Sequence, residues 1–342
     1  MRIGVALPTD HTRLSAEANS VETLIGEVKE LAAAGLTSAW FTQRFDHDAI
    51  TVAALAAREV PGIDVGTAIV PIYPRHPIAM SMQAQTAQAA GHGRFTLGVG
   101  MSIGSFVEEA YGIAPHPRIR HLREYLEVLR DLFENGTANL DGETLVARTP
   151  LPVSVPGARP RVPVLVAAAG ELTLRAAGEL ADGALPILSG PRTLAEYTVP
   201  TVTRYAEAAG RPAPRVAAIV SGVVTADVAG ARARAEKNMG YYGTIPSYRA
   251  ALDREGVGHP ADLVAIGDEE LLADQVAAYV EAGVTELVYT QTSIGSAEDE
   301  HRTWRLLGEL AARHRREPAG TGPTGAGPTG AGPAPVPGAG AP

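Results

Sequence analysis

Strand signals and helix signals alternate along this chain from end to end, and that alternation limits its fold more than any other feature. Short apolar or β-branched runs at Arg2–Leu7, Ser38–Thr42, Asp64–Val70, Arg94–Val99, Val162–Ala167, Gly183–Leu188, Arg215–Val224 and Val284–Thr290 read as strands. Segments of helical period separate them: Val21–Ala34, Asp48–Glu59, Pro77–Ala90, Arg118–Phe133, Leu172–Ala181, Leu194–Ala209, Val228–Met239 and Glu269–Ala282, with Ala297–Arg315 closing the series. Gly35 stops the first helix, Pro8 and Pro71 stop strands, and Pro77 stands in the first turn of its helix. Eight strands, each followed by helix, predict an α/β chain closed as a (β/α)8 TIM barrel, one domain over residues 1–317. Two insertions are expected. One follows strand 4 and carries a hairpin at Ala138–Arg148 with Asp141-Gly142 at its tip; the other, irregular and aromatic, is Tyr241–His259 after strand 7. In such a barrel the working residues sit where strands end and loops begin.

Composition removes several function classes. The chain has no cysteine, which excludes a disulfide scaffold, an iron–sulfur cluster and a cysteine nucleophile. A net charge of −9 argues against nucleic acid and anionic membrane as partners. No stretch reaches the roughly 20 apolar residues of a membrane span, so a cytoplasmic location is expected. No metal site is predicted: Asp46-His47-Asp48 is the nearest cluster, but adjacent residues rarely converge on one ion, and Asp48 reads as a helix cap. Residues 318–342 are nearly all Gly, Ala, Pro and Thr, with Gly322–Ala326 repeated as Gly327–Ala331. They read as a disordered tail outside the fold.

Two short motifs compete over one loop. Gly98-Val99-Gly100-Met101-Ser102 begins like the dinucleotide fingerprint, but Ile103 stands where the third glycine belongs. Gly100-Met101-Ser102-Ile103-Gly104 fits the serine-hydrolase elbow after a strand, with Asp262 and His301 available as partners. No HGGG-type oxyanion motif precedes it, and the segment reads as a long loop running on to Pro115 and Pro117.

Three stretches carry a more specific signal: Val65–Pro77, Gly93–Gly100, and Val164–Gly170 continuing into Ala177–Gly183. In order and spacing the chain, from Met1 to about Arg316, resembles the luciferase-like oxidoreductases that use FMN or the deazaflavin coenzyme F420. It is most similar to the actinobacterial F420-dependent branch. The resemblance implies hydride transfer between the reduced deazaflavin and an activated C=C, C=N or C=O of an organic substrate, a small molecule or a peptide product. It also leaves a homodimer open. The alternative is an FMN-dependent luciferase-like monooxygenase; further off stand a serine hydrolase using Ser102 and a non-catalytic deazaflavin-binding protein.

The resemblance also assigns residues. A non-proline cis peptide between Ala68 and Ile69 would back the cofactor ring. Ala167, Ala168, Ala169 and Gly170, entering a helix near Glu171, would seat its phosphate on free N–H groups. Gly98 and Gly100 would give the cofactor clearance, with Met101 and Ser102 beside its polar tail. Where relatives carry an acid and a histidine after the second strand, this chain has Gln43 and Arg44, and Ile103 fills another proton-handling place. Gln43 is then a cofactor contact, Arg44 stabilises developing charge, and His47 or water supplies the proton, with Asp10 and His11 as further candidates. The loops Asp10–Ala16, Ile103–Pro117 and Tyr241–Tyr248 would build the substrate pocket, and Phe106, Tyr111, Tyr241 and Tyr242 suit an uncharged or partly apolar substrate.

Overall fold

The computed structural model describes residues 1–8, 19–113, 118–291 and 293–316. Asp10, His11, Pro115, Pro117 and the tail from 318 lie outside the described residues. Eight parallel strands form a closed ring: β1 (Arg2–Leu7), β2 (Ser38–Phe41), β3 (Asp64–Thr67), β4 (Phe95–Gly100), β5 (Val164–Val166), β6 (Gly183–Ala184), β7 (Arg215–Val224) and β8 (Glu286–Thr290). Each pairs with the next in sequence, and β8 returns to β1, so that Val5 lies between Ala39 of β2 and Tyr289 of β8. The fold is the (β/α)8 barrel that the alternation predicts.

Helices cover the ring. They are α1 (Ser20–Ala33), α2 (Ala49–Glu59), α3 (Pro77–Ala90), α4 (Gly104–Tyr111), α5 (Arg118–Asn135), α6 (Glu171–Leu180), α7 (Val199–Ala208), α8 (Val228–Met239), α9 (Pro246–Glu255), α10 (Glu269–Glu281) and α11 (Ala297–Arg316). α1 shows why they form: Leu24, Ile25, Val28 and Leu31 make one buried stripe, and the Asn19 side chain accepts from the Val21 and Glu22 N–H groups. Asp48 caps α2 by accepting from Thr51 N at 2.8 Å.

Inside the ring, large and small residues interlock. Trp40, Leu165, Leu185 and Val288 fill the lumen against Ala6 and Ala217. Gly66 makes room for the Trp40 ring, which a Cβ there would approach to 2.6 Å. The end where the strands begin is closed by polar groups. Glu286 accepts from Ser38 Oγ at 2.7 Å and Trp40 Nε1 at 3.2 Å, and it pairs with Arg215 at 2.9 Å.

Several segments differ from the sequence reading. β3 stops at Thr67, the Ala68–Ile69 peptide is cis, and the chain pairs again with β4 at Val70–Pro71. β6 is only two residues long, because Pro186 removes a ladder donor. The stretch read as loop after β4 contains α4, a weakly marked helix that buries only Val107. The stretch read as irregular after β7 contains α9, bracketed by Pro246 at its start and Gly256 (φ 84°) at its end. A short strand, Ala265–Gly267, pairs with the far half of β7. The hairpin is present as Asn139–Asp141 against Val146–Arg148. Among the described residues no helix is long and apolar enough to cross a membrane.

Candidate active site

The ends of the barrel strands open into one cleft of about 1590 Å³. Pro8 follows β1, Thr42–Phe45 follow β2, and Ala68 and Ile69 follow β3. Met101–Gly104 come after β4, Ala167–Gly170 after β5, and Ile187–Ser189 after β6. Ile219, Val220 and Ser221 belong to β7, and Thr290 and Ser293 stand at the end of β8. Three residues of this rim (Ser102, Leu188 and Ser293) hold a left-handed backbone without being glycine, at φ 56°, 53° and 56°. That conformation is disfavoured for side-chain-bearing residues and concentrates at functional sites.

The cis bulge at Ala68–Ile69 is held on both sides. Thr42 Oγ1 donates to Ala68 O at 3.1 Å, and Gln43 N donates to Ile69 O at 3.2 Å. The Gln43 side chain is itself committed. Its Nε2 donates to the carbonyls of Arg44 and His47, and its Oε1 accepts from Ala49 N at 3.0 Å, so it shapes the loop that enters α2.

The N-terminus of α6 is the clearest anion seat. Gly170 is its cap residue, and a Cβ there would meet nothing within 4 Å. Helix geometry leaves the N–H groups of Glu171 and Leu172 without intrahelical acceptors. The Glu171 carboxylate, which would repel an anion here, turns away: it accepts from Tyr205 Oη at 2.9 Å and from Arg204 at 3.2 Å. Ala167, Ala168 and Ala169 line the cleft beside it.

Gly98 and Gly100 do not line the cleft. A Cβ on Gly98 would lie 1.9 Å from the Thr67 carbonyl oxygen and 2.6 Å from Leu185 Cδ1. One on Gly100 would press on Ala167 Cβ at 3.0 Å and Ile69 Cδ1 at 3.1 Å. Their smallness serves close strand packing, which corrects the expectation of cofactor clearance. Met101 and Ser102 do line the cleft, and Arg118 holds their carbonyls at 3.4 and 2.6 Å.

His47 is also not in the cleft lining. Its side chain is 6% exposed, and both ring nitrogens are buried without a hydrogen-bond partner. Nδ1 comes within 3.2 Å of the Asp46 carboxylate, close enough for charge but out of line for a hydrogen bond. The expected proton donor at the barrel mouth is therefore a buried loop side chain instead. Arg44 does line the cleft, exposed, and its guanidinium has no partner among the described residues.

The charged residues of the lining are Arg44, Arg118 and Glu171, among the described residues. Of the tyrosines there, Tyr279 donates to Ser189 O at 3.4 Å. Burial, with Tyr242 nearby, pushes the Tyr248 hydroxyl up, so it stays protonated at neutral pH. No group of three potential metal ligands occurs among the described residues.

The elbow reading of Ser102 gains one feature and loses its partners. α4 does begin two residues on, and Ser102 has the left-handed backbone, contrary to the long loop expected. But His301 pairs with Glu30 on an outer helix, and Asp262 caps a short turn at His259 N. No histidine lines the cleft among the described residues, so none of them gives Ser102 a base.

The aromatic side chains Phe45, Phe106, Tyr111, Tyr241, Tyr242 and Tyr248 also line the cleft. The sequence marks Phe45 only by its place in the loop after β2.

Residues 1–286 match the luciferase-like monooxygenase family. A Mycobacterium tuberculosis protein, provisionally named a coenzyme F420-dependent oxidoreductase, is 25% identical over 312 residues, covering 78% of this chain and 88% of the relative. The coenzyme F420-dependent tetrahydromethanopterin reductase of Methanopyrus kandleri has a similar structure, with a TM-score of 0.73 and 22% identity over 92% of this chain and 99% of that one. So does the oxygenating constituent of 3,6-diketocamphane monooxygenase from Pseudomonas putida, solved with FMN, with a TM-score of 0.72 and 16% identity over 92% and 98% of the two chains.

Proposed function

The chain belongs to the luciferase-like monooxygenase family and is an oxidoreductase, and from that premise we propose that it works with reduced coenzyme F420 on an organic acceptor carrying an activated C=C, C=N or C=O. The observation that carries this reading is the seat at α6: free first-turn N–H groups, an unobstructed Gly170, and a Glu171 carboxylate drawn away by Arg204 and Tyr205. A phosphate at Ala168–Gly170 leaves the cofactor ring to lie against the Ala68–Ile69 bulge, which Thr42 and the Gln43 backbone hold in place. The charge balance of the lining, two arginines against one glutamate already paired outside, suits a polyanionic cofactor. FMN is the alternative that the same seat accepts, and the FMN-bound Pseudomonas putida enzyme shares the fold.

When bound, the deazaflavin supplies a two-electron hydride donor. The chain supplies the rest. The bulge orients the ring, the α6 amides hold the phosphate, and the apolar wall limits water. Arg44 brings positive charge to the acceptor side without exchanging a proton. With His47 away from the cleft, the balancing proton comes from solvent through the open mouth.

The test is a binding titration of F420, FMN and NADPH against the wild-type chain and Gly170→Asp. Aspartate is a better helix cap than glycine and its Cβ meets no atom within 4 Å, so the variant should fold with equal or slightly higher stability. It should lose F420 binding, because its carboxylate occupies the phosphate seat. Unchanged F420 affinity in the variant overturns the placement, and tight FMN binding with no F420 binding overturns the cofactor.

A further inference from the structure

Four large aromatic side chains at the mouth of the cleft are left unused by the cofactor cradle. Phe45 is 72% exposed, Tyr241 50%, Phe106 41% and Tyr111 40%. They come from three separate segments: the loop after β2, both ends of α4, and the turn after α8. They meet in pairs. Phe106 and Tyr241 lie nearly parallel, with centroids 6.2 Å apart and planes 5° apart, and Phe45 and Tyr111 are 6.1 Å apart at 37°. Aromatic surface gathered from distant segments and left open at a cleft mouth marks a ligand site, because burying it is favourable and no described residue does so.

Charge narrows the ligand further. Arg44, next to Phe45 and also in the lining, has no partner among the described residues. The carboxylate of the lining, Glu171, is turned outward onto Arg204 and Tyr205. The vestibule is therefore aromatic and positive. A cationic ligand would meet an unpaired guanidinium, and a purely aliphatic one would leave both that charge and the flat ring faces unmatched.

We propose that this vestibule binds the organic substrate, and that the substrate is a planar aromatic molecule bearing an acidic group, a carboxylate or ionised enol, that faces Arg44. The flat body lies against Phe106 and Tyr241, and the anionic group receives charge-assisted hydrogen bonds from the guanidinium. This rests on the cofactor reading above, since a ring seated at Ala68–Ile69 and a phosphate seated at α6 leave the mouth to the substrate.

Two fluorescent probes that differ only by a sulfonate separate the parts of this proposal: 1-anilinonaphthalene-8-sulfonate and neutral N-phenyl-1-naphthylamine. Both are titrated into the full chain, alone and saturated with F420. The anionic probe should bind at one site, about tenfold tighter than the neutral one, with Arg44→Gln erasing the difference. Phe106→Ala and Tyr241→Ala, both at exposed positions, should weaken both probes about three- to tenfold. The two aromatic variants, Phe106→Ala and Tyr241→Ala, should keep wild-type F420 affinity. Equal binding of the two probes, or no response to the aromatic substitutions, overturns the proposal. Competition between F420 and the anionic probe gives the vestibule to the cofactor and overturns it as well. Failure of F420 to bind while the probe pattern holds removes the cofactor reading and leaves the aromatic-acid site standing.

Discussion

A Cβ atom added at Gly98 would overlap the Thr67 carbonyl, whereas one added at Gly170 would meet only open space. The two glycines thus do different work: Gly98 lies within β4, and Gly170 caps α6. Gly98→Ala should destabilise the barrel by about 1–3 kcal/mol, as overpacking usually does, read from the denaturant midpoint. Gly170→Ala should leave that midpoint within about 0.5 kcal/mol of wild type. Equal effects at the two sites would show that Gly98 also has open space beside it. His47 invites a second prediction. With its ring buried away from the cleft, His47→Ala should change the rate of the hydride step by less than about threefold, against the 10²- to 10⁴-fold expected for a lost general acid. Single-turnover oxidation of the bound, reduced cofactor measures it, and a loss of the larger size would return His47 to catalysis. The sequence identifies which residues follow each strand, and so most of the cleft lining. It does not reveal where their side chains turn. Glu171 is directed by Arg204 and Tyr205, 33 and 34 residues away, and His47 is enclosed by a loop that Gln43 ties down.

At the scale of elements, strong periodicity and clear caps made most helices readable, and weak ones hid the rest. α4 is only eight residues long, with one buried residue and no side-chain cap, so its sequence offers no start signal and too few turns to show a period. α9 did carry a signal, proline at the first position and glycine past the end, but the aromatic run before it obscured the pattern. The hairpin after α5 depends on a contact that no local pattern encodes. The buried Glu124 carboxylate accepts from Glu143 N and Thr144 N, both at 2.9 Å, and from Thr144 Oγ1 at 2.6 Å. Burial pushes this carboxyl up, but the donors outweigh burial and hold it below its ordinary value. A depressed carboxyl stabilises the fold above its unfolded-state value, and that stability is lost as pH falls through the lower folded value. Glu124→Gln turns an amide N–H₂ toward backbone donors and should cost about 1–3 kcal/mol at neutral pH. The difference from wild type should shrink as the pH drops below the ordinary carboxylate range. A gap that stays constant down to pH 2 would show that ionisation of Glu124 does not hold the hairpin.

The whole molecule divides into an end that stabilises and an end that acts, as barrels of this kind do. The cleft lies where the strands finish, and at the other end the first residues of β2, β7 and β8 meet around Glu286. Only 1% of that side chain is exposed. It takes donors from Ser38 and Trp40 and pairs with Arg215, which reaches on to Thr96 Oγ1 of β4 at 3.1 Å. The network therefore ties four of the eight strands together below the lumen. Glu286→Ala would strand the Arg215 guanidinium and leave the Ser38 and Trp40 donors unmet, a change that typically costs about 3–5 kcal/mol. Replacing both charges with apolar residues, Glu286→Leu with Arg215→Met, should recover much of that loss, since a buried pair costs nearly as much to desolvate as it returns. Trp40 is one of two tryptophans, so its emission reports directly on the floor during unfolding. Affinity for the proposed cofactor should be unchanged in every variant that remains folded, because the network and the cleft occupy opposite ends of the strands. A variant that keeps wild-type stability yet loses cofactor binding would show that the floor is coupled to the cleft through the Trp40 layer, and the separation of the two ends would fail.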